Sequence, residues 1–135
     1  MCEFFPTPPE KLRSSVLVVD DEPLIRWAVA ESLGRVGYHV VEAEDARTAV
    51  QLVATTQPEV GLVILDLKLP DSSDLSLLHT IKRMSPHCAV IMMTAYGKPG
   101  LAEAALRDGA RSVVGKPFDM QMLVGLVREA LPIAH

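Results

Sequence analysis

Four polar positions in this chain each follow a short apolar run of the length of a β-strand. The first run ends in the acidic pair Asp20-Asp21, and a later, longer run ends in Asp66. Two further runs end in Thr94 and in Lys116. If the strands are parallel in one open sheet, their carboxyl ends share one edge, and ligands bind outside that edge. The spacing therefore predicts one site that holds three carboxylates, a hydroxyl and an ammonium group.

Each acidic residue alone has an ordinary structural explanation, since Asp20 or Asp21 could cap a helix that begins at Pro23. Asp66 is harder to explain in this way. A carboxylate placed after six mostly aliphatic residues loses solvation, which disfavours its ionised form. Three such carboxylates together favour a hard cation, and Mg²⁺ binds carboxylate oxygens while it retains several waters. A structural Mg²⁺ or Ca²⁺ site is the simplest alternative.

Lys116 and Thr94 distinguish a structural cation site from a phosphoryl-transfer site. A cage that only binds a cation gains nothing from an ammonium group beside the metal. A phosphoryl group held by the metal gains from both an ammonium and a hydroxyl, because they share its negative charge. An aspartate carboxylate can itself act as the nucleophile and form an aspartyl-phosphate. The residue types together predict phosphoryl transfer to an aspartate.

Composition narrows the class of protein. A chain of 135 residues is long enough for one domain with a sizeable apolar core. Its net charge of −4 and aromatic content of 4% predict no direct nucleic-acid binding, which uses basic patches or stacking rings. Cys2 and Cys88 form no spaced framework and suit a reducing compartment. No apolar run has the length of a membrane span or the character of a signal peptide, so we expect a cytoplasmic chain with no membrane partner.

Five apolar runs alternate with five segments of helical period, which predicts a parallel sheet with helices on both faces. We expect Trp27 on the first helix and Met122 on the last to pack inward. Gly34 and Gly37 are predicted to end the first helix. The predicted helices begin at Pro23, after Asp45, after Ser73 or Asp74, at Leu101 and after Asp119. Residues 1–14 are predicted to be a flexible, proline-rich leader, 15–131 the domain and 132–135 a tail.

Four sequence motifs resemble those of a known family. They are V-L-V-V-D-D-E-P, L-V-I-L-D-L-K-L-P, V-I-M-M-T-A and G-K-P-F, and they begin at Val16, Leu62, Val90 and Gly115. In order and spacing they are similar to the receiver domain of two-component response regulators, over about residues 15–131. The resemblance implies a flavodoxin-like α/β fold of five βα units with sheet order 2-1-3-4-5. The segments L-I-R-W-A-V-A-E-S-L and K-P-F-D resemble receivers of nitrogen-regulation-type enhancer-binding activators.

The resemblance assigns Asp66 as the phosphoacceptor. It implies that a sensor histidine kinase or a phosphotransfer protein donates the phosphoryl group from a phosphohistidine. Mg²⁺ would be bound directly by Asp21, Asp66 and the backbone carbonyl of Lys68, with Asp20 acting largely through water.

The resemblance also implies that Thr94 and Lys116 bind phosphoryl oxygens. It further implies that the Lys116–Pro117 peptide is cis. It implies a signalling module with slow self-dephosphorylation rather than a turnover enzyme. Phosphorylation would switch its conformation and so control a partner or an output domain, with a homodimer as one expected outcome.

Two positions depart from the family pattern. Ser73-Asp74 stands where receivers usually end a turn in Asp-Gly, and Asp tolerates a left-handed backbone only at some cost. Val113 stands where receivers commonly carry a Tyr or Phe that swings inward on phosphorylation. Tyr96 is a candidate substitute for that ring, or else an ordinary loop tyrosine. These departures leave open a pseudo-receiver that acts as a phosphorylation-independent interaction module.

Two other classes fit the sequence less well. Aspartate-nucleophile phosphatases typically need Asp-x-Asp after the first strand, whereas Asp20 and Asp21 are adjacent and Asp66 follows the third strand. A nucleotide-binding flavodoxin-like protein would need a glycine-rich phosphate loop, and the sequence contains none.

Overall fold

The chain alternates strand and helix throughout the part that the structure, a computed structural model, describes: residues 14–95 and 99–133. The strands are β1 (Ser15–Val19), β2 (His39–Ala43), β3 (Val60–Asp66), β4 (Ala89–Thr94) and β5 (Ser112–Gly115). The helices are α1 (Pro23–Arg35), α2 (Ala46–Thr55), α3 (Ser76–Met84), α4 (Leu101–Arg107) and α5 (Met120–Ala130). The predicted leader up to residue 13, as well as Tyr96, lies outside the described residues.

The strands form one parallel sheet in the order β2-β1-β3-β4-β5, which confirms the predicted order. Its register sets the positions of the strand ends. Val19 of β1 lies opposite Leu65 of β3, so the residues that follow them, Asp20 and Asp66, are side by side at the carboxyl ends of the two strands. Asp66 lies opposite Met93 of β4, and Thr94 lies opposite Gly115 of β5.

Apolar side chains cover both faces of the sheet. Successive residues of a strand point to opposite faces, and every residue of β1 is buried because helices pack on both sides. On one face Leu17 and Val63 belong to the same cluster as Leu78 of α3. On the other face Val16 and Ile64 share a cluster with residues of α1 and α5. The sheet edge is therefore held rigidly from both sides.

Local sequence signals account for several helix ends. The Asp45 carboxylate caps α2 by accepting from the Thr48 N–H at 2.7 Å, and Asp119 caps α5 in the same way. Gly37, at a φ of 109°, follows α1, and Tyr38 N–H donates to the Leu33 carbonyl as in a Schellman motif. The prediction that Gly34 also ends this helix is wrong, because Gly34 lies inside α1.

Three further expectations differ from the structure. α3 begins at Ser76, after the predicted start, because the Asp74 carboxylate accepts from both the N–H and the hydroxyl of Ser76. Trp27 is 60% exposed rather than packed inward, since Val29 faces the sheet and Trp27 lies about 200° around the helix from it. Met122 is 48% exposed for a similar reason, because its neighbour Leu123 takes the buried position. Over the described ranges, no helix is long and apolar enough to span a membrane.

Candidate functional site

The carboxyl ends of β1, β3 and β5 bring three of the predicted site residues into contact. Lys116 Nζ lies 3.1 Å from Asp20 Oδ2 and 3.1 Å from Asp66 Oδ2. These contacts join residues that are 96 and 50 positions apart, and they follow from the strand register. Thr94 ends β4 between them, and its carbonyl accepts from the Lys116 N–H at 2.8 Å.

Lys116 is the centre of the site's charge balance. Its ammonium also donates to Glu22 Oε1 at 3.1 Å, so it contacts three carboxylates, and its side chain is only 11% exposed. Burial opposes the charged form, but hydrogen bonds to Asp66 and Asp20 outweigh it and hold the pKa of Lys116 above its usual range. An ammonium group has three donors, and here each is directed at an acidic partner.

Asp66 is a buried carboxylate in a strained electrostatic setting. It is 5% exposed, and loss of solvation is the main cause that raises its pKa to about 6. The charge of Asp20 raises this pKa further, whereas Lys116 and the backbone N–H of Lys68 lower it. The Lys68 N–H donates to Asp66 Oδ1 at 3.2 Å. Asp66 is therefore oriented by donors on both oxygens while its ionised form stays costly.

Asp20 is fully buried and is held towards the site rather than used as a helix cap. Its Oδ1 accepts from the Glu22 N–H at 2.9 Å, while the Asp20 carbonyl accepts from Arg26 at 2.8 Å. The residue that precedes α1 is Glu22, which makes no side-chain capping bond. The structure therefore contradicts the explanation that Asp20 or Asp21 caps α1.

The acidic residues fit a hard divalent cation. Asp20, Asp21 and Asp66 each offer a carboxylate oxygen, and these oxygens lie within 4.8 Å of one another. Asp21 is exposed while the other two are buried, so a cation would be held at the surface with room for water ligands. Lys68 is two residues beyond Asp66, on the loop that follows β3.

The remaining positions that the sequence singled out are also placed. The Lys116–Pro117 peptide is cis, as the resemblance implied. Val113 is half-buried and packs against the core cluster that contains Met92, its neighbour in β4.

Sequence reasoning missed two residues near the site. Glu22, the third partner of Lys116, stands directly after the acidic pair, and that adjacency is the signal that could have identified it. Asp71 follows Pro70 in the loop after β3, and its carboxylate accepts from the N–H groups of Ala46 and Arg47 at the start of α2. No short-range pattern links Asp71 with α2.

Comparisons with known proteins agree with this geometry. The family model of the response regulator receiver domain matches residues 16–128. Response regulator protein PilR of Pseudomonas aeruginosa is 38% identical over 123 residues, which cover 91% of this chain and 27% of PilR. The DNA-binding transcriptional regulator NtrC of Escherichia coli is 34% identical over 119 residues, which cover 88% of this chain and 25% of NtrC.

The fold of this chain is also similar to that of a solved structure. A response regulator protein from Burkholderia pseudomallei, with a phosphorylated aspartic acid, calcium ion and citrate, superposes with a TM-score of 0.75. It is 28% identical, and the match covers 87% of this chain and 66% of that one.

The chain belongs to the response regulator receiver family of two-component systems, whose members are signalling modules. The similarity to PilR and NtrC confirms the resemblance to nitrogen-regulation-type activators. The chain spans about a quarter of the length of these two relatives.

Proposed function

We propose that Asp66 accepts a phosphoryl group from the phosphohistidine of a sensor histidine kinase or phosphotransfer protein, in a Mg²⁺-dependent reaction. The observation that carries the proposal is the position of the Lys116 ammonium, 3.1 Å from both Asp66 and Asp20. In this proposal the nucleophile, the ligands for a metal cation and the ammonium group that would bind a phosphoryl oxygen lie at one sheet edge, and the two contacts support that arrangement. The phosphorylated aspartic acid and calcium ion in the similar receiver support this assignment.

The proposed step transfers one phosphoryl group without any redox change. A carboxylate oxygen of Asp66 attacks the phosphorus, a P–O bond forms, and the P–N bond breaks. The electron pair of that bond stays on the imidazole nitrogen of the donor. In the proposed slow self-dephosphorylation, water attacks the phosphorus, the bond between phosphorus and the Asp66 oxygen breaks, and inorganic phosphate leaves while the carboxylate is restored.

Each side chain has a separate task in this proposal. Asp20, Asp21 and Asp66 hold the cation together with the Lys68 carbonyl, and a bound Mg²⁺ would withdraw charge from the phosphoryl oxygens. Lys116 exchanges its contact with the Asp66 carboxylate for one with a phosphoryl oxygen. The Thr94 hydroxyl binds another phosphoryl oxygen from the adjacent strand end.

The first turns of α1 provide a surface on which a protein donor can dock. Leu24 is 82% exposed and Trp27 is 60% exposed, and they are three positions apart, so they lie on the same side of the helix. Both lie in the first turns of α1, the helix that begins directly after Glu22, whose carboxylate contacts Lys116. We propose that the protein carrying the phosphohistidine covers this pair during transfer.

Phosphorylation is proposed to control a partner or an output domain, and the relatives named PilR and NtrC make transcription regulation the favoured output. Dimerisation on phosphorylation and a cytoplasmic location stay predictions from the sequence. So does the boundary of the receiver at residues 15–131.

Intact-mass measurement after incubation with acetyl phosphate tests the proposal. The wild-type chain should gain the mass of one phosphoryl group in Mg²⁺ and none in EDTA. Asp66→Asn should gain none, whereas Asp45→Asn, which alters a helix-capping aspartate, should label as the wild type does. Labelling of Asp66→Asn at one site would overturn the assignment, and a wild type that never labels would favour the pseudo-receiver alternative.

A further inference from the structure

The loop that follows β3 is attached to the start of α2 by one side chain. Asp71 Oδ1 accepts from the Ala46 N–H at 2.8 Å, and its Oδ2 accepts from the Arg47 N–H at 3.1 Å. These are the first two residues of α2, whose N–H groups have no partner inside the helix. The third such group, on Thr48, is taken by the helix's own cap, Asp45, at 2.7 Å.

Asp71 belongs to the same short hydrogen-bonded segment as the phosphoacceptor. The segment starts at Asp66, which accepts from the Lys68 N–H, and continues to Leu69, which exchanges two backbone hydrogen bonds with Ser72. Leu69 is also buried, which fixes the inner side of this turn. Asp71 lies inside the turn and fixes its outer side to α2.

Helix α2, which donates both hydrogen bonds to Asp71, is itself anchored in the core. Ala49 of α2 is fully buried in the core cluster on that face of the sheet. Two parallel hydrogen bonds from consecutive N–H groups also define the direction of the Asp71 carboxylate, and the positive end of the helix dipole favours its charge. The backbone of Lys68 therefore lies between two anchors, the Asp66 carboxylate and the Asp71 carboxylate.

We infer that Asp71 is a positioning residue for the cation and phosphoryl site, because it holds the loop that presents the Lys68 carbonyl. The inference rests on the proposed function, in which that carbonyl binds Mg²⁺. Asp71 itself touches neither the cation nor the phosphoryl group. Its role is transmitted through the turn from Leu69 to Ser72.

The first test compares Asp71→Ala with Asp45→Ala in the full chain. Both variants remove one carboxylate from the same helix terminus, so both should lower the thermal midpoint by similar amounts. Mg²⁺ titrations followed by backbone amide shifts should differ. Asp71→Ala should bind Mg²⁺ about tenfold more weakly, as expected when a group that orients a metal ligand is lost. Asp45→Ala should bind Mg²⁺ as the wild type does.

Asp71→Asn separates geometry from charge. The amide oxygen retains one of the two hydrogen bonds to α2, although the negative charge is gone. Mg²⁺ affinity should therefore lie between those of the wild type and Asp71→Ala. An affinity equal to that of Asp71→Ala would mean that charge alone acts, which contradicts a positioning role.

The second test uses the reciprocity of coupling between two sites. If the contact between Asp71 and α2 favours Mg²⁺ binding, Mg²⁺ must in turn favour that contact. Mg²⁺ should slow hydrogen exchange of the Ala46 and Arg47 amides but leave the Thr48 amide, which Asp45 holds, unchanged. In Asp71→Ala this effect of Mg²⁺ should vanish.

The outcomes distinguish this inference from the proposed function. If the wild type binds Mg²⁺ and labels with acetyl phosphate, but the two alanine variants bind Mg²⁺ equally, Asp71 is only a helix cap and the inference is wrong. Equal protection of all three amides by Mg²⁺ would also contradict it. If the wild type neither binds Mg²⁺ nor labels, the proposed function itself fails and this inference fails with it.

Discussion

The Lys116 ammonium donates to Asp66 Oδ2 at 3.1 Å, across 50 positions of sequence. The same ammonium contacts Asp20 and Glu22, so it ties the ends of β1, β3 and β5 together. Lys116 therefore has two roles at this edge. It compensates the charge of the acidic side chains when no cation is bound. It also provides the positive charge that would bind a phosphoryl oxygen.

Removal of Lys116 should lower the stability of the chain without weakening its binding of Mg²⁺. Lys116→Ala leaves buried carboxylates uncompensated, so we expect the free energy of unfolding in EDTA to fall by about 3 kcal/mol. Mg²⁺ affinity should stay the same or rise, because the cation no longer competes with the ammonium. Chemical denaturation in EDTA and a Mg²⁺ titration would measure both quantities.

Lys116→Met is the matched control, since it keeps a long apolar side chain and removes the ammonium charge together with its hydrogen-bond donors. Thr94→Ala should likewise leave Mg²⁺ affinity nearly unchanged. A strong loss of Mg²⁺ affinity in Lys116→Ala would contradict the division of tasks proposed for the site.

The raised pKa of Asp66 predicts how stability depends on pH. Its ordinary value is 3.8 and its value in the fold is about 6, so the folded chain binds more protons than the unfolded chain between these pH values. Stability in EDTA should therefore decrease as the pH rises from about 4 to about 6, by about 2 to 3 kcal/mol from this group. Urea denaturation across this range would measure the slope.

Asp66→Asn is the control for the pH dependence, because an amide does not titrate. The difference in unfolding free energy between wild type and variant should change across the interval from pH 4 to 6 and stay constant above it. A constant difference over the whole range would show that the pKa of Asp66 is not raised.

Docking of a protein donor on α1 is tested by Trp27→Ala. Loss of an exposed aromatic group at an interface should slow phosphotransfer from an autophosphorylated kinase core that labels the wild type, by about tenfold or more. Labelling by acetyl phosphate, which needs no docking surface, should be unchanged. Radiolabel transfer and intact mass would follow the two reactions.

Met84→Ala provides a comparison at an exposed apolar residue elsewhere. Met84 is 42% exposed at the carboxyl end of α3 and is not part of the α1 surface. Met84→Ala should accept the phosphoryl group from the kinase core as fast as the wild type does. Equal slowing in both alanine variants would contradict a specific role for Trp27.

Residues at strand ends could be predicted from the sequence because the rule that governs them is simple. Parallel strands place their carboxyl ends at one edge, so Asp20, Asp66 and Lys116 had to come close once the strands were recognised. The cap at Asp45 was predictable because a capping carboxylate reaches only about three residues. These features depend either on the sheet or on nearest neighbours.

Contacts that depend on the path of a loop could not be predicted in this way. Asp71 meets Ala46 across 25 positions, and this contact follows from how the turn after β3 folds back. The exposure of Trp27 was missed because α1 carries apolar residues on more than one side, so helical period alone does not select the buried face. The burial of the neighbouring Val29 settles that choice.

The acidic cluster should destabilise the fold when no cation is bound. Asp20, Asp21 and Asp66 converge, and Lys116 offsets only part of their charge. Asp66→Asn or Asp20→Asn should therefore raise the free energy of unfolding in EDTA by about 1 kcal/mol at neutral pH. In each variant one amide oxygen can still accept the backbone N–H that the carboxylate accepted, from Lys68 or Glu22. The lost contact is the one with the ammonium group, whose loss the relief of repulsion exceeds.

Mg²⁺ should reverse the order of stabilities. It stabilises the wild type by mass action, and it stabilises the two variants less because each has lost a carboxylate ligand. Asp45→Asn is the internal reference, since Asp45 is a true cap that accepts from Thr48 N–H, and its replacement should not stabilise the chain in either condition. Chemical denaturation of the wild type and the three variants, in EDTA and in millimolar Mg²⁺, would measure these free energies of unfolding. A clear loss of stability for both Asp20→Asn and Asp66→Asn in EDTA would mean that these aspartates stabilise the fold through their donors, and that the site is not electrostatically strained.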